Sequence, residues 1–414
     1  MSRLLYTLFL HLLLPYIFVR LWWRGRKQPE YRQHWGERFG FYPALTNDKP
    51  IIWLHAVSVG ETRATVALVA ELRAAYPQHQ ILFSHTTPTG RDTSQQLYGD
   101  SVRRVYLPSD YPWAMRRFLR HFRPQIGLLL ETEVWANLQH VALGENVPLL
   151  LLNARMSAKS ARGYARFAAL SRPALHGFRA IAAQTAEDAQ RLQQLGAQQV
   201  SVMGNLKFDI LPPAAQLALG QSLRQQFGPR HILLLASTRD GEEAVLLDAY
   251  RPQPDTLLLL VPRHPQRFDE VEKLIRQRGL SCQRRSLNQA VPAEVQLLLG
   301  DSMGELFAYY AAADVAYIGG SLLPFGGQNL IEACAVGTPV LLGPHTYNFA
   351  QASELAIAAG AARRVDDADE LFRTARDLLH DPARRQQQAE AARQFVAAHQ
   401  GASRRALAVV QTVL

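Results

Sequence analysis

Cysteine is almost absent from this chain. Cys282 and Cys334 are the only two among 414 residues, so there is no disulfide framework. They also lack metal-ligand spacing, and a reducing compartment is implied. Histidine and cysteine form no cluster along the sequence, and no DxD-type pair sits in a suitable loop. The sequence therefore implies no bound metal and no cofactor, and chemistry that relies on protein cations. Fixed-period repeats, low-complexity tracts and the motifs of nucleic-acid readers are missing too, and the arginines are dispersed, which argues against nucleic acid as a partner. Disorder is excluded, because 48% of the residues are hydrophobic and only 19% charged, the balance of a globular chain.

What is present begins with length and positive charge. A chain of this size exceeds one ordinary core and suffices for two α/β domains. A net charge of +10 suits an anionic membrane surface or an anionic substrate. Residues 4–23, LLYTLFLHLLLPYIFVRLWW, are almost continuously apolar, and about 20 such residues are enough to cross a bilayer core. His11, Pro15 and Arg20 interrupt the run. Trp22 and Trp23 suit the lipid–water interface, and Arg24, Arg26 and Lys27 follow at once. Without a small-residue cleavage site, a signal peptide is the lesser reading. The pattern predicts an N-terminal membrane-anchor helix over residues 1–25, with the body of the protein at the cytoplasmic face. A core helix of the first domain is the competing reading. Arg32, His34 and Arg38, interleaved with Tyr31, Trp35, Phe39, Phe41 and Tyr42, extend the anchor into a basic stretch suited to anionic headgroups.

From residue 51 onward, short buried-strand runs alternate with helical patterns. Strands are expected at 51–55, 81–85, 102–107, 126–130, 147–153, 181–183 and 200–203. Paired prolines in ILPPAA (210–215) break the pattern, which restarts at 231–236 and continues at 257–261, 296–299, 315–318 and 339–342. Such alternation predicts parallel sheets with right-handed crossovers. The expected organisation is two doubly wound, Rossmann-like α/β domains over 26–210 and 211–395 and a C-terminal helix over 396–414. Ligands belong in the crevice at the carboxyl ends of the strands.

Polar residues cluster at those ends. In IGGSLLPFGGQNLIE (318–332), Gly319, Gly320 and Ser321 leave a strand ahead of a helix, a pattern whose backbone N–H groups can cradle a phosphate. Asn329 and Glu332 strengthen that reading, with Glu332 placed one turn into the helix to accept from ribose hydroxyls. A plain tight β–α turn would look similar. In HAVSVGE, Gly60 permits a tight turn and Glu61 opens a helix. Glu61 is either a general base, if desolvated, or a glutamate serving the helix dipole. Glu131 and Glu133 close the strand IGLLLETE. Lys207, one of few lysines among many arginines, follows another strand in GNLKFD. It can offset charge on a leaving phosphate or simply face solvent. Ser58 and Gly60 flank the turn in HAVSVGE, and Arg155 (in NARMS) is again polar after a strand. In PRHPQRF, Arg263 can grip a phosphate in a bidentate way; His264 is a ligand contact or a structural histidine. Met303, Gly304 and Glu305 form a turn whose backbone suits the edge of a nucleobase.

Together HAVSVGE, LLLETEVWAN, NARMS, GNLKFD, PRHPQRF, GDSMGEL and GGSLLPFGGQNLIEACAVGTPVLLGPHTYNF resemble the 3-deoxy-D-manno-octulosonic acid (Kdo) transferases of Gram-negative lipopolysaccharide synthesis. The resemblance spans nearly the whole chain. It implies the GT-B glycosyltransferase fold, CMP-Kdo as donor, and the lipid A precursor (lipid IVA) as acceptor at the cytoplasmic face of the inner membrane. It implies an inverting reaction with Glu61 as base, Glu131 and Lys207 as stabilising groups, and Ser58, Gly60 and Arg155 on the acceptor side. It also implies CMP contacts from Arg263, His264, Met303 to Glu305, and Asn329, Leu330, Ile331 and Glu332. Two other classes stay open: a GT-B-fold nucleotide-sugar epimerase, which would need no lipid anchor, and a membrane-bound nucleotide-binding regulator, which would need no base.

Overall fold

A computed structural model describes residues 2–45 and 48–414. The side chain of Lys27, part of the expected basic flank, lies outside the described residues. The chain divides into two compact units, Met1–Asp209 with His399–Leu414, and Ile210–Ala398.

The first unit is built on seven strands: β1 (Ile51–His55), β2 (Gln80–His85), β3 (Arg103–Tyr106), β4 (Ile126–Leu130), β5 (Leu149–Ala154), β6 (Ala180–Ala183) and β7 (Val200–Val202). All pairs are parallel, in the order β3-β2-β1-β4-β5-β6-β7. β1, β4 and β5 are buried along their whole length, as a parallel sheet covered on both faces requires. Side chains alternate between the faces. Trp53, Leu82, Leu129 and Leu151 enter one core; Leu54, Phe83, Leu128 and Leu150 enter the other. Gly127 makes room for the largest of them. A Cβ there would lie 2.5 Å from Leu149 Cδ2 and 2.7 Å from Trp53 Cε3.

The helix Ala402–Gln411 completes this unit. Ala402, Ala406 and Val410 share a core with Leu68 and Leu72. The helix start is held by Asp209, whose carboxylate accepts from Gly401 N (2.6 Å), Ala402 N (3.2 Å) and Ser403 N. A carboxylate on three first-turn amides satisfies donors that the helix itself leaves unpaired.

The second unit repeats the plan with β8 (His231–Thr238), β9 (Thr256–Pro262), β10 (Cys282–Arg284), β11 (Leu297–Leu299), β12 (Val315–Ile318), β13 (Val340–Leu342) and β14 (Ala362–Arg364). The order is β10-β11-β9-β8-β12-β13-β14. β10 and β14 were not foreseen. Each is three residues long, charged, and at a sheet edge, where polar side chains blunt unwanted pairing. In both units the strand order reverses beside the first strand, between β1 and β4 and between β8 and β12.

The N-terminus departs from expectation. In place of one anchor helix there are two, Arg3–Leu12 and Leu14–Lys27, bent by 51°. Pro15 sits in the first turn of the second, where its missing N–H costs nothing but cannot continue the preceding helix. No single helix among the described residues is long and apolar enough to cross a membrane. One side of the first helix is tied to the unit: Tyr6 donates to Asp110 Oδ2 (3.1 Å), Thr7 to Asn137 Oδ1 (2.8 Å), and Tyr111 donates to Leu10 O (2.7 Å). Burial pushes the Asp110 carboxyl up to about 6 against the amides of Asn137 and Leu138 that it accepts. The other side stays open, with Leu4, Leu8, Phe9, Leu12, Tyr16, Val19, Trp22 and Trp23 exposed. Arg38, expected on the headgroup side, turns inward. It is 8% exposed, donates to Thr86 O (3.1 Å) and lies 4.0 Å from the Tyr106 ring centroid.

Overpacking a filled core typically costs about 1–3 kcal/mol. Gly127→Ala is therefore expected to lower the unfolding free energy by that amount, read from the midpoint shift in urea. A midpoint unchanged from wild type would show that Trp53 and Leu149 yield freely.

Candidate active site

In the first unit the candidate groups gather where β1, β4, β5 and β7 end. Helix Val59–Ala64 starts shortly after β1, with Ser58 as its cap. Ser58 Oγ accepts from Glu61 N (3.2 Å) and donates to Glu61 Oε1 (2.8 Å), while Val57 N donates to Glu61 Oε2 (2.8 Å). This reciprocal capping fixes the carboxylate. Burial pushes the Glu61 pKa above the usual carboxylate range; the Val57 amide opposes this, and the nearby Glu131 adds to it. A held carboxylate with raised proton affinity is suited to act as a base. Gly60 plays a different part from the one expected. It lies inside the helix, and a Cβ there would meet nothing closer than Ser58 Oγ at 3.9 Å. No tight turn needs it.

β4 ends at Leu130, and Glu131 then takes φ +57°. For a residue with a side chain this costs roughly 1–2 kcal/mol, the kind of strain that collects at functional sites. Glu131 Oε1 lies 3.7 Å from Lys207 Nζ. The turn bearing Lys207 is held from two sides: Leu206 N donates to Asn153 Oδ1 (3.1 Å) at the end of β5, and Asp209 caps the C-terminal helix. Arg155 is exposed and joins the cluster through its backbone N–H on Glu131 O (3.3 Å). The structure thus brings Glu131 and Lys207 into contact from separate strand ends, with Glu61 close enough for Glu131 to raise its pKa.

Glu133 accepts from Trp135 Nε1 (2.6 Å) and lies 3.7 Å from His55 Nε2. Burial pushes its pKa up, but His55 and Trp135 outweigh burial and hold it below the usual range. His55 was not foreseen. It is fully buried, with Nδ1 at 2.8 Å from Ser84 Oγ, and in IIWLH it reads as one more strand residue.

In the second unit the glycine turn after β12 holds an anion, but an internal one. Gly320 N donates to Glu242 Oε2 (2.7 Å), Leu322 N to Glu242 Oε1 (3.2 Å), and Tyr317 OH to Glu242 Oε1 (2.6 Å). Glu242 is 0% exposed. These two amides are spent on that carboxylate rather than left for a phosphate. Gly319 is required by close approach, since a Cβ would lie 2.5 Å from Ser237 O. Ser321 is buried, donates to Ile318 O and accepts from Gly343 N (2.8 Å), so it pins the loop. Further on, Asn329 Nδ2 donates to Glu332 Oε1 (3.0 Å) and Asn329 Oδ1 accepts from Ile331 N (3.1 Å). Helix Ile331–Val336 begins there, which puts Glu332 in its first turn rather than one turn in. Leu330 and Ile331 are buried behind it.

Cations collect at the ends of β8 and β9. Arg239, the first residue past β8, donates from Nη1 to His264 Nε2 (3.1 Å) and lies 5.1 Å from the Phe325 ring centroid. Burial, with Arg239, Arg263 and Arg267 around it, pushes the His264 pKa down, which favours the neutral imidazole. Arg267 is engaged by carboxylates: Nη1 donates to both oxygens of Glu243 (2.9 Å each), and Nε and Nη2 donate to Glu270. Arg239 was missed because STRDGEE reads as an ordinary helix lead-in. The Met303 side chain is 62% exposed and Gly304 takes φ +82°. Glu305 is engaged by Ser302 Oγ (2.6 Å) and Arg285 Nε (3.3 Å). At the opposite, amino-terminal edge of this sheet, His231, Asp255 and His380 have ligand-type atoms within 4.8 Å of one another; they take no part in the site.

The family model described as 3-deoxy-D-manno-octulosonic-acid transferase matches residues 33–210, and the one described as glycosyl transferases group 1 matches residues 266–395. A 3-deoxy-D-manno-octulosonic acid transferase of Bordetella pertussis is 46% identical, with 98% of each chain covered. Among solved structures, a glycosyltransferase of Rickettsia africae superposes with a TM-score of 0.59 at 15% identity, covering 89% of this chain and 99% of that one. A UDP-GlcNAc 2-epimerase of Neisseria meningitidis gives the same TM-score at 14% identity, covering 88% and 100%. Likeness at such identities is a likeness of fold.

Each buried donor left unpaired costs about 1–3 kcal/mol. Glu242→Ala abandons the amides of Gly320 and Leu322, and thermal unfolding is expected to show a drop of several degrees or more. An unchanged melting temperature would mean that the loop finds other acceptors.

Proposed function

The chain belongs to the 3-deoxy-D-manno-octulosonic acid transferase family and is a glycosyltransferase that transfers Kdo; from that premise we propose that CMP-Kdo is its donor and the lipid A precursor its acceptor, in lipopolysaccharide inner-core synthesis. The observation that carries the mechanism is the Glu61 carboxylate, fixed by Ser58 and Val57 and raised in pKa beside the Glu131–Lys207 pair. Glu61 takes the proton from the acceptor hydroxyl as that oxygen attacks the anomeric carbon of Kdo. The bond from that carbon to the CMP phosphate oxygen breaks, its electrons leave with CMP, and the centre inverts. Lys207, oriented by Glu131, offsets the negative charge that develops.

In the second unit Arg239 and Arg263 supply cations for the donor's phosphate. Glu332 accepts from the ribose, and the Met303–Glu305 turn meets the base. Epimerisation of a nucleotide sugar has only the shared fold in its favour. We also place the protein at the cytoplasmic face of the inner membrane, with helices Arg3–Leu12 and Leu14–Lys27 lying in the interface rather than spanning it. The support is their bend, the polar ties on one side and the exposed apolar side opposite. Such two-sided helices settle at the headgroup boundary.

Incubation with CMP-Kdo and the lipid A precursor is expected to yield a lipid heavier by one or more Kdo residues; a product of unchanged mass overturns the donor–acceptor assignment. Glu61→Gln should lower turnover by roughly 10²–10⁴-fold. Because Glu61 must be ionised to act, activity rises as pH climbs through its raised pKa. Glu131→Gln removes a neighbouring negative charge, so the acid limb should move to lower pH while staying above that of an ordinary glutamate, burial being the larger cause. An acid limb that stays in place in Glu131→Gln would remove Glu61 as the titrating group.

A further inference from the structure

Helix Pro112–Phe122 has two unlike sides. Ala114, Met115, Phe118, Leu119 and Phe122 are buried, while Arg116, Arg117 and Arg120 face outward. The turn before Phe41 presses on this helix so closely that a Cβ on Gly40, which takes φ +79°, would lie 2.8 Å from Ala114 O. Between turn and helix is a cavity of about 580 Å³, lined among others by Phe41, Trp113 and the three arginines. The Arg117 guanidinium is shared by two rings, 4.3 Å from the Phe41 centroid and 5.2 Å from that of Trp113. Arg116 and Arg120 both approach one carboxylate, Glu145, at 3.4 and 3.0 Å. Three guanidinia against one carboxylate leave the cavity cationic.

A run of stacked rings leads from the cavity to the N-terminal helices. Trp113 stacks with Phe39 (6.4 Å), and Phe39 stacks with Phe18 (4.8 Å) in helix Leu14–Lys27. Phe41 at the rim is 58% exposed. Aromatic rings beside an apolar surface belong at headgroup depth, and guanidinia suit phosphate oxygens.

We propose that this cavity binds the phosphate of an anionic glycerophospholipid headgroup, with Arg116, Arg117 and Arg120 on the phosphate oxygens and Phe41 and Trp113 beside the glycerol. The inference rests on the interfacial reading of the N-terminal helices and goes past it. It assigns the electrostatic part of membrane docking to a helix remote in sequence, and away from Arg38, which is buried. Each basic side chain near an anionic surface contributes about a fivefold factor in binding. The full-length chain is titrated with vesicles of phosphatidylcholine alone and of phosphatidylcholine with phosphatidylglycerol. Arg116→Ala/Arg117→Ala/Arg120→Ala is expected to weaken binding to the anionic vesicles roughly 100-fold, and Arg117→Ala alone about fivefold. Binding to neutral vesicles should be unchanged, and melting temperatures should match wild type. Arg373→Ala/Arg376→Ala/Arg384→Ala removes the same charge from the exposed surface of the second unit and should change binding less than threefold. Equal losses in the two triple variants, or no loss in the first, overturn the cavity while leaving the interfacial helices standing. If wild type fails to bind either vesicle, the interfacial reading itself falls.

Discussion

A parallel sheet covered on both faces leaves its side chains no route to water except at the strand ends, and the placement of every candidate group in this chain follows from that. β1, β4, β5 and β9 are buried from end to end. Titratable groups with access to a ligand therefore belong to the residues just past them. Glu61 follows β1, Glu131 follows β4, Lys207 follows β7, and Arg239 and His264 follow β8 and β9. The backbone bends sharply at these exits. Glu131, Asn153 and Ser237 all take positive φ without being glycine, and each is a place where hydrogen bonding to neighbouring strands or loops holds a conformation that the residue alone would avoid.

Carboxylates that meet several donors do much of the holding. Glu242 closes the loop after β12, Asp209 caps the last helix, Asp110 takes the amides of Asn137 and Leu138, and Glu37 takes Tyr106 N (2.7 Å) and Arg91 Nη1 (2.7 Å). Burying a carboxylate is costly unless several donors meet it. Glu242, Glu37 and Asp110 are buried and Asp209 half-buried, and each meets two or more donors, Glu242 as many as four. At Glu61, as at Asp110, burial outweighs the donors, and a neighbouring carboxylate adds to it, so the Glu61 pKa is raised.

Much of this was legible in residue patterns. The central strands are apolar runs ending in polar residues, so their existence, type and parallel pairing could be read directly. β10 and β14 could not, because three mostly polar residues at an edge carry no periodic signal. Glu61, Glu131 and Lys207 were legible as polar residues at strand exits, and Glu131 and Lys207 do meet. What the pattern could not tell was which partner each group would find. The amides after β12 suit an anion, and a phosphate was the natural expectation, but the Glu242 carboxylate, distant in sequence, takes those of Gly320 and Leu322. His55 and Arg239 escaped notice because their roles come from contacts with Glu133 and His264 that only folding creates. The N-terminal run read as one helix, because composition does not show that Pro15 would start a second one or that Asp110 and Tyr111 would hold the first.

The path of the chain through the first unit bears on how that unit can be made. Its last helix, Ala402–Gln411, is separated from the rest by the whole of the second unit, yet Asp209 grips its first turn and its apolar residues fill the core beneath the sheet. During synthesis the first sheet must wait, with one face incompletely covered, until residues nearly two hundred positions later emerge. The turn that positions Lys207 shares that wait, since Asp209 lies two residues beyond it. The second unit, continuous in sequence, has no such delay. Assembly of the first unit is thereby tied to completion of the second, and a chain cut short before its final helix lacks both a core element and the anchor of the turn that bears Lys207.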